Sequence, residues 1–462
     1  MTKNLSDKPH EECAVFGISL KNAEEAAGIT YNALLSMQHR GQEAAGIAVL
    51  SGSGIYCQKS MGLVTEVFSD ETLLRFPHSH AAVGHTRYST GGGNTWENVQ
   101  PFVTEYLTGR IATVLNGSIL NSKENREALK KQGLNFTAST DGEVISSLIA
   151  YHTVKSGSIM DGVKKAAGLL TGAFCIVLLT SDNKLIAVRD PNGFRPLCIG
   201  RSPLGIAVAS ESCALDTCGF EFCRDVKPGE IIVIQDGEMI YEETELRNKD
   251  ENSGLCIFEY VYFARPDSYI DNLSVYKARY NMGRILAEEY PVDADAVCGV
   301  PDSGLEAAIG YSGASGIPLV PGFVKNRYIG RSFIYPAQPQ RETAVRLKLN
   351  PLSANIKGKK IVLVDDSIVR GTTSANIVRS LKSAGAKEVH MRISSPPFLF
   401  TCHYGTDIDD ECNLIANKLN LDEITKSIGA DSLGYISIKG LKTACRECNL
   451  SFCTKCFTGN NI

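Results

Sequence analysis

The sequence has 462 residues, of which 43% are hydrophobic and 21% charged, and its formal net charge is -4. This length predicts two or three globular domains with substantial cores. The slightly acidic balance, without any run of Lys and Arg, argues against a nucleic-acid-binding surface. Because no apolar stretch approaches the roughly 20 residues of a membrane span, and residues 1–12 lack the apolar core of a secretory signal, the sequence predicts a cytoplasmic protein.

The 15 cysteines are spread over a long chain without an export signal. In that context reduced thiols, metal ligands or catalytic groups are expected rather than disulfides. Most of them, such as Cys175 and Cys298 within apolar runs, are expected to be buried and without chemistry.

The first half of the chain is rich in short β-type runs separated by Gly, Asn and Asp. Only a few helical stretches are predicted between them, such as Ile29–His39 and Lys123–Lys131. Many short strands with few helices indicate sheets stacked face to face with helices outside. A polar stretch, Arg247–Ser253, is the predicted linker to the second half. The predicted strands are residues 13–20, 44–50, 81–89, 111–119, 173–180, 185–190, 205–211 and 231–237.

The second half alternates predicted helices and strands, which is typical of a mostly parallel, doubly wound sheet. A polar segment, Lys325–Leu349, interrupts this alternation, and the last 20 or so residues are rich in cysteine. The predicted helices are residues 274–290 and 373–384, with a further helix after residue 304, and the predicted strands are residues 295–300, 317–324, 360–364 and 388–394.

The sharpest local motif is Ile361–Ser374, an apolar strand that ends in two acids and runs into a Gly/Ser/Thr loop opening a helix. Ligands of open α/β sheets bind at the carboxyl ends of strands. Such a loop offers N–H groups, hydroxyls and the positive end of the helix dipole to a phosphate. Adjacent Asp365 and Asp366 need a cation or sugar hydroxyls nearby, and Mg²⁺ suits carboxylates together with substrate phosphates. A solvated turn after a core strand would explain the two acids alone, but not the whole motif.

This motif resembles the ribose-phosphate-pyrophosphate motif of the type I phosphoribosyltransferases. The resemblance implies that the two acids meet the ribose hydroxyls and Mg²⁺, and that the loop Arg370–Ser374 holds the 5′-phosphate. The segment Val300–Gly304 resembles the pyrophosphate loop, with Ser303 near the metal, and the basic residues that follow resemble a cover over the substrate. The implied substrate-binding residues are Lys325, Arg327, Lys348, Asp365, Asp366, Ser367, Arg370, Gly371, Thr372, Thr373 and Ser374, and the implied metal residues are Ser303, Asp365 and Asp366.

Five fragments of the first half, beginning with Cys13, together resemble the class II glutamine amidotransferases, whose fold is the N-terminal-nucleophile αββα sandwich. The other four fragments are residues 38–43, 84–89, 115–118 and 139–143. The resemblance runs from Cys13 to about residue 240. Singly, each fragment could be a surface turn or an inert cysteine, but their joint occurrence in order is specific.

The resemblance implies that Cys13 is the nucleophile and that its own α-amine is the base, with a pKa of about 7.7–8.0. That amine exists only if residues 1–12 are removed. Asn116 and the Gly117 N–H are implied to form the oxyanion hole, while Arg87 binds the substrate carboxylate and Asp141 its ammonium. His39 and His85 are interpreted as structural or supporting.

The spacing Cys445-x2-Cys448-x4-Cys453-x2-Cys456 is, by itself, typical of a tetrahedral zinc site. The order of the two domains resembles the amidotransferase family that acts on phosphoribosyl pyrophosphate, one branch of which carries a [4Fe–4S] cluster. The residues that match its ligands are Cys256, Cys402, Cys453 and Cys456, a Cys₄ set of the kind such a cluster needs. A zinc site of the four tail cysteines stays open as the alternative, as does the role of Cys445 and Cys448.

The predicted organisation is a propeptide (1–12), a glutaminase domain (13–246), a phosphoribosyltransferase domain (247–430) and a cysteine-rich tail (431–462). The resemblance implies that ammonia from glutamine displaces pyrophosphate from 5-phosphoribosyl 1-pyrophosphate, giving 5-phosphoribosylamine at the start of purine synthesis. It also implies feedback inhibition by purine nucleotides and a homotetramer.

Three alternative functions would each require other features in the sequence. A glutaminase with another acceptor, such as an asparagine or glucosamine-phosphate synthase, would not need the Ile361–Ser374 motif. A ligand-sensing transcriptional regulator would need a basic DNA-binding module and no glutaminase, and the sequence has the reverse. A catalytically dead paralogue would be expected to have lost Cys13, Asn116 or the Asp365–Asp366 pair, and all are present.

Overall fold

The structure is a computed structural model, and it describes residues 13–52, 54–88, 93–244, 246, 253–326, 349–406, 408 and 410–460. The predicted propeptide, most of the predicted linker, and Arg327 and Lys348 lie outside the described residues. No helix among those described is long and apolar enough to cross a bilayer.

The first half forms two antiparallel sheets. The first contains β1 (Ala14–Glu24), β2 (Ala44–Ser51), β3 (Gly54–Met61), β4 (Ser79–Arg87), β9 (Cys198–Ser202), β10 (Gly205–Ala209) and β11 (Glu221–Asp225), in the order β11-β9-β10-β1-β4-β2-β3. The second contains β5 (Phe102–Tyr106), β6 (Gly109–Ile119), β7 (Gly172–Thr180), β8 (Lys184–Arg189), β12 (Glu230–Gln235) and β13 (Glu238–Thr244), in the order β13-β12-β8-β7-β6-β5.

Alternating side chains on the strands build three apolar layers, because successive residues point to opposite faces of a sheet. On β1, Val15 faces the second sheet and packs in one cluster with Val177 of β7. Its neighbour Phe16 faces outward and packs with Leu34. On the outer face of the second sheet, Ile176 packs beneath a second helical layer. The helices on the outer face of the first sheet are Ala26–Ser36, Val64–Val67, Asp70–Leu73 and Ser212–Thr217, and those on the outer face of the second sheet are Ser122–Lys130, Asp141–Ser156 and Ile159–Leu169. A 3₁₀ turn, Trp96–Asn98, precedes β5.

The strands of the second half are β14 (Leu255–Cys256), β15 (Tyr269–Ile270), β16 (Leu273–Ser274), β17 (Ala296–Gly299), β18 (Phe323–Lys325), β19 (Leu349–Pro351), β20 (Lys360–Asp365), β21 (Glu388–Ile393), β22 (Ser432–Tyr435) and β23 (Phe452–Cys453). Four of them form a parallel sheet with the order β17-β20-β21-β22. Leu319 forms a parallel bridge to Val297 on the other edge of β17. The chain therefore crosses the sheet in the order 2-1-3-4-5, which places the topological switch point between β17 and β20.

Helices cover both faces of this sheet. Val362 of β20 packs on the side of helices Val275–Glu289 and Leu305–Ser315, and Leu363 on the side of helices Thr372–Ser383 and Leu421–Ile428. The remaining helical segments are the π-helix Glu259–Phe263, Ser353–Ile356, Glu411–Asn413, Ile415–Asn417, Ile438–Ala444 and Lys455–Thr458. An αββα sandwich followed by a doubly wound parallel sheet is thus confirmed.

One of the strands predicted from the sequence is wrong. Residues 317–324 form a single bridge at Leu319 and then join β18, which pairs with β19 instead of the main sheet. The cause is the two prolines of this run, Pro318 and Pro321, because proline has no N–H to donate to a strand ladder.

Candidate active sites and cysteine pocket

Cys13 lies directly before β1 and beside the end of β4. The register pairs Ala14 with Thr86, so the next residue of β4, Arg87, ends next to Cys13. The Cys13 Sγ is 3.6 Å from the carbonyl oxygen of Tyr88. Burial raises the pKa of the Cys13 thiol, and the positive charge of Arg87 offsets this only in part. The thiol therefore needs a base before it can act as a nucleophile.

Asn116 supplies a buried amide on β6, in the facing sheet. Its side chain is fully buried, and neither its Oδ1 nor its Nδ2 has a hydrogen-bond partner among the described residues. A buried amide without a partner is costly in a folded protein, so such a group is a candidate for meeting a ligand.

His85 connects the strand of Arg87 to the strand of Asn116. Its Nε2 lies 3.1 Å from the Leu115 carbonyl oxygen, across the two sheets. Burial lowers the pKa of His85 to about 3, with the charge of Arg87 acting in the same direction. The imidazole is therefore neutral and holds the two strands together, as the supporting role predicted from sequence requires.

Gly117 and Asp141 complete the predicted glutamine site around the end of β6. Gly117 has φ of +135°, and a Cβ there would stand 2.1 Å from the carbonyl oxygen of Ala173, so only glycine fits. Asp141 begins helix Asp141–Ser156, and its Oδ2 accepts a 2.8 Å hydrogen bond from the N–H of Ile119. The strand that carries Asn116 and Gly117 thus also anchors Asp141.

The phosphoribosyl motif lies at the switch point of the parallel sheet. Val300, the first residue after β17, donates its N–H to the carbonyl of Val364 in β20 at 2.9 Å, so the loops that follow the two strands begin side by side. The hydroxyls of Ser303 and Ser367 both donate to the carboxylate of Asp366. The Asp366 N–H donates to Asp365 Oδ1 at 2.9 Å, and both acids are buried.

Two glycines let these loops approach each other and turn. A Cβ at Gly304 would stand 2.4 Å from the carbonyl oxygen of Val364, in the neighbouring strand. Gly371 has φ of +84° and precedes helix Thr372–Ser383, so the loop turns sharply onto the helix N-terminus. The N–H groups of the first helical turn have no partner within the helix, so this N-terminus can bind a phosphate.

The remaining predicted residues of this site are distributed around the same loops. Ser374 is buried in the first turn of the helix, Arg370 and Thr373 are half-buried, and Thr372 is exposed. Lys325 of β18 forms an ion pair with Asp302, in the loop after β17. Of the three basic residues selected from the sequence, the structure therefore places one beside the pyrophosphate-loop segment.

Four cysteines from three distant parts of the chain line one pocket: Cys256, Cys402, Cys453 and Cys456. The parallel pairing of β14 with β23 places Cys256 opposite Cys453. The Cys456 carbonyl accepts hydrogen bonds from the N–H groups of Leu399 and Phe400, which brings the Cys402 segment alongside. Burial, opposed in part by the charge of Arg195 and reinforced by the neighbouring Cys453 and Cys402, raises the pKa of the Cys256 thiol to about 12.

Four cysteine thiols around one cavity are the donor set that a [4Fe–4S] cluster needs. The four ligands of a [4Fe–4S] cluster bind four different irons, so they surround a space instead of converging on a point. Cysteines around a cavity have that arrangement.

Cys445 and Cys448 do not line this pocket. They close a turn at the end of helix Ile438–Ala444, with a 3.0 Å hydrogen bond from the Cys448 N–H to the Cys445 carbonyl. Burial raises the pKa of Cys448 to about 11. The structure thus groups two tail cysteines with Cys256 and Cys402 and leaves the other two apart, which does not favour a zinc site made of the four tail cysteines.

Sequence reasoning missed a buried charge cluster where the two halves meet. Arg40 forms ion pairs with Glu211 of the first half and, at 2.6 Å, with Glu259 of the second. His39 lies 2.7 Å from the same Glu211, so its role is in this junction. The only signal in the sequence was the fragment 38–43, which gave no hint of partners roughly 170 to 220 residues away.

Comparison with known proteins agrees with this division of the chain. A family model described as a glutamine amidotransferase domain matches residues 85–217, and one described as a phosphoribosyl transferase domain matches residues 271–394. The amidophosphoribosyltransferase of Methanocaldococcus jannaschii is 48% identical over 459 residues, which cover 97% of each chain. That of Bacillus subtilis is 44% identical over 457 residues, covering 97% of this chain and 94% of the relative.

Solved structures give the same result. Glutamine phosphoribosylpyrophosphate amidotransferase from B. subtilis, complexed with ADP and GMP, superposes with a TM-score of 0.88 at 44% identity and covers 97% of each chain. A structure described as the allosteric regulatory enzyme of purine biosynthesis gives a TM-score of 0.89 at 44% identity, covering 97% of this chain and 96% of the other. The chain therefore belongs to the amidophosphoribosyltransferase family, enzymes that combine a glutamine amidotransferase domain with a phosphoribosyltransferase domain.

Proposed function

We propose that this enzyme releases ammonia from glutamine at Cys13 and uses it to displace pyrophosphate from 5-phosphoribosyl 1-pyrophosphate. Glutamine, water and this substrate would give glutamate, pyrophosphate and 5-phosphoribosylamine, the first committed step of purine synthesis. The observation that carries the proposal is the joint presence of two sites in one chain. Cys13 and the buried Asn116 amide occupy facing sheets of one half, and the acidic phosphate loop occupies the switch point of the other.

The first step requires removal of residues 1–12, which leaves Cys13 with a free α-amine. That amine takes the thiol proton, and the sulfur attacks the amide carbon of glutamine to form a tetrahedral intermediate. The amine, now charged, returns the proton to the departing ammonia, and water hydrolyses the thioester. Asn116 and the Gly117 N–H would stabilise the oxyanion, each donor contributing about 3 kcal/mol.

Arg87 and Asp141 are proposed to hold the two charged ends of the glutamine. A guanidinium binds a carboxylate as a two-bonded fork, and a carboxylate binds an ammonium through charge-assisted hydrogen bonds. The support for this assignment is their placement, since Arg87 ends the strand beside Cys13 and Asp141 is anchored by the last residue of β6.

In the second half, Asp365 and Asp366 are proposed to bind the ribose hydroxyls, and the loop Arg370–Ser374 the 5′-phosphate, with Ser367 also in the substrate site. Lys325, together with Arg327 and Lys348, would neutralise the pyrophosphate. Ser303, Asp365 and Asp366 would hold Mg²⁺, which supplies a positive charge for the departing pyrophosphate. The buried acids and the hydroxyl of Ser303 on Asp366 support this assignment.

Cys256, Cys402, Cys453 and Cys456 are proposed to bind a [4Fe–4S] cluster. Because the four residues come from the domain junction, the loop after β21 and the tail, the cluster would hold these parts together without taking part in the reaction. The support is that all four line one pocket. Iron and acid-labile sulfide analysis tests this assignment, and stoichiometric zinc without iron would overturn it.

Purine nucleotides are proposed as feedback inhibitors of this enzyme, which we expect to be a cytoplasmic homotetramer. The support for regulation is that the B. subtilis relative has been solved in complex with ADP and GMP. Inhibition of pyrophosphate release by purine nucleotides, but not by pyrimidine nucleotides, is the corresponding test.

The proposed function is tested by pyrophosphate release from 5-phosphoribosyl 1-pyrophosphate with glutamine or with ammonium chloride as the nitrogen source. The wild-type enzyme should use both, and Cys13→Ala should use ammonia alone. Asp365→Asn should impair both reactions. Loss of the ammonia-dependent reaction in Cys13→Ala would contradict the division of labour between the two halves.

A further inference from the structure

Arg195 is a fully buried arginine of the glutaminase half that reaches into the other half of the chain. Its guanidinium lies 3.3 Å from Glu259 Oε1 and donates a 2.8 Å hydrogen bond to the carbonyl of Tyr404. It also donates to the Thr406 hydroxyl at 3.3 Å. One side chain thus contacts the π-helix at the domain junction and the loop that follows Cys402.

The same side chain lines the four-cysteine pocket. Tyr404 connects the two, because its N–H donates a 3.3 Å hydrogen bond to the Cys402 sulfur while its carbonyl accepts from Arg195. Phe194 stacks on the Tyr404 ring at 4.3 Å and fixes the loop from the other side. Residues of the glutaminase half therefore hold the backbone that presents one of the four sulfurs.

The positive charge of Arg195 also favours a role at this pocket. A [4Fe–4S] cluster with four thiolate ligands carries net negative charge, and burial makes that charge costly unless a cation lies near it. Arginine suits the position because its guanidinium is always charged and weakly hydrated. Arg40 and Arg195 together balance Glu211 and Glu259, and of these four groups only Arg195 lines the pocket, where the side chain of Lys455 also lies.

We infer that Arg195 is a positioning residue for the four-cysteine site, compensating the charge of the bound cluster and tying it to the glutaminase half. The inference rests on the cluster proposed above. Residues that orient and neutralise metal ligands from outside the coordination shell typically change metal affinity by 10–100-fold when replaced.

The test uses Arg195→Gln, which removes the charge, and Arg195→Lys, which keeps the charge without the planar fork. The matched control is Arg189→Gln, because Arg189 is also fully buried, crosses between the halves to Asp271 at 2.7 and 3.0 Å and donates a 2.7 Å hydrogen bond to the Arg195 carbonyl, but does not line the pocket. It therefore controls for the loss of a buried charge and of backbone support for Arg195. The measurements are iron release to a chelator, followed by visible absorbance, and the reduction potential of the cluster in the intact enzyme.

Arg195→Gln should release iron roughly 10–100-fold faster than the wild type and shift the potential to more negative values, since a nearby positive charge has been removed. Arg195→Lys should keep a potential near that of the wild type and release iron at an intermediate rate. Arg189→Gln should leave the potential unchanged.

Two different results would overturn the inference. Wild-type enzyme without iron and sulfide would remove the cluster and this inference together. A wild-type cluster whose potential and release rate are unchanged in Arg195→Gln, or changed equally in Arg189→Gln, would leave the cluster standing and reject the role of Arg195. If Arg195→Gln does not fold, an Arg195→Lys enzyme with the potential of the wild type is still required.

Discussion

At the scale of single residues, the glutaminase site contains polar groups that the folded protein itself stabilises poorly. The Asn116 amide is buried without a partner in the described part of the chain, although the fold satisfies its neighbours on β6. Burial raises the pKa of the Cys13 thiol, and the charge of the neighbouring Arg87 offsets this in part. Such groups are expensive for folding, so they indicate positions selected for reaction rather than for stability.

Replacing Asn116 with Ala should lower kcat of the glutamine-dependent reaction by roughly 10²–10³-fold, because one oxyanion donor is lost. KM for glutamine should change little, since the donor acts mainly on the transition state. Steady-state kinetics with glutamine measures this, and the ammonia-dependent rate of the same variant is the control. A rise in KM with unchanged kcat would place Asn116 in substrate binding instead.

The pH dependence of the glutaminase step should report the α-amine of Cys13. The base must be deprotonated, so kcat/KM for glutamine should rise with pH through about 7.7–8.0. His85, whose pKa lies at about 3, cannot give this limb. The limb should therefore persist in His85→Gln, even if the rate falls. A limb near 6.5 in the wild type that disappears in His85→Gln would make the imidazole the base.

The sequence located these residues better than it located their supports. Cys13, Asn116 and Asp141 stand in short local motifs, where residue type and order carry the chemistry. The bond from His85 to the Leu115 carbonyl joins two sheets, and the approach of Cys13 to Tyr88 spans 75 residues. Such contacts depend on sheet register and packing, which a single sequence does not specify.

At the scale of elements, the phosphate loop depends on one glycine. Gly371 has φ of +84°, and a Cβ there would stand 2.6 Å from the Ile415 Cδ1. Gly371→Ala should raise KM for 5-phosphoribosyl 1-pyrophosphate in both the ammonia- and glutamine-dependent reactions, since the loop cannot close onto the helix N-terminus. Positive φ alone costs about 1 kcal/mol for Ala, so some loss of stability is also expected.

The control for this variant is Gly358→Ala. Gly358 has φ of +76° but no atom within 4 Å of its Cβ position, and it lies before β20, away from the loop. Thermal unfolding of both variants and their KM values separate strain from substrate binding. Equal effects of the two variants on KM would remove Gly371 from the site.

The sequence predicted most strands but missed several helices and edge strands. Helix Asp141–Ser156 was missed because residues 144–150 are all buried, so no exposed polar face marks a helical period. The edge strands β3, β11 and β13 were missed because none of their described side chains is buried, so these strands have no apolar face to mark a period of two residues. In residues 317–324 the prolines argue against a central strand more strongly than the apolar residues around them argue for one.

At the scale of the whole molecule, the two halves are joined by buried charges. Arg40 bridges Glu211 and Glu259, and Arg189 binds Asp271 across the same junction. Breaking a buried ion pair by removing one partner is expected to cost about 3–5 kcal/mol. The junction should therefore behave as part of one folding unit instead of a flexible hinge, although the sequence gave no indication of these pairs.

Asp225 should make the stability of this junction depend on pH. Burial and the neighbouring Asp271 carboxylate raise the pKa of Asp225 to about 7. Because the folded pKa lies above the unfolded value, the neutral carboxyl stabilises the fold below about pH 4, and that contribution is lost as pH rises through 7. Thermal unfolding of wild type and Asp225→Asn between pH 5 and 8 measures this.

The wild type should lose stability relative to Asp225→Asn as the pH increases over that range. A constant difference between the two proteins at all pH values would mean that Asp225 does not titrate there. A difference of the opposite sign would mean that its carboxylate, through Arg189, is the stabilising form.

The coupling of the two sites is tested most directly by the source of the nitrogen in the product. Glutamine labelled with ¹⁵N in its amide is supplied together with unlabelled ammonium, which exceeds the ammonia released from glutamine and on its own supports only a slow ammonia-dependent reaction, with 5-phosphoribosyl 1-pyrophosphate in excess. If Cys13 delivers ammonia within the enzyme, the trapped 5-phosphoribosylamine should carry ¹⁵N, with one glutamate formed per pyrophosphate released. Product nitrogen that matches the isotope ratio of the bulk ammonium, or glutamate formation without pyrophosphate release, would contradict it.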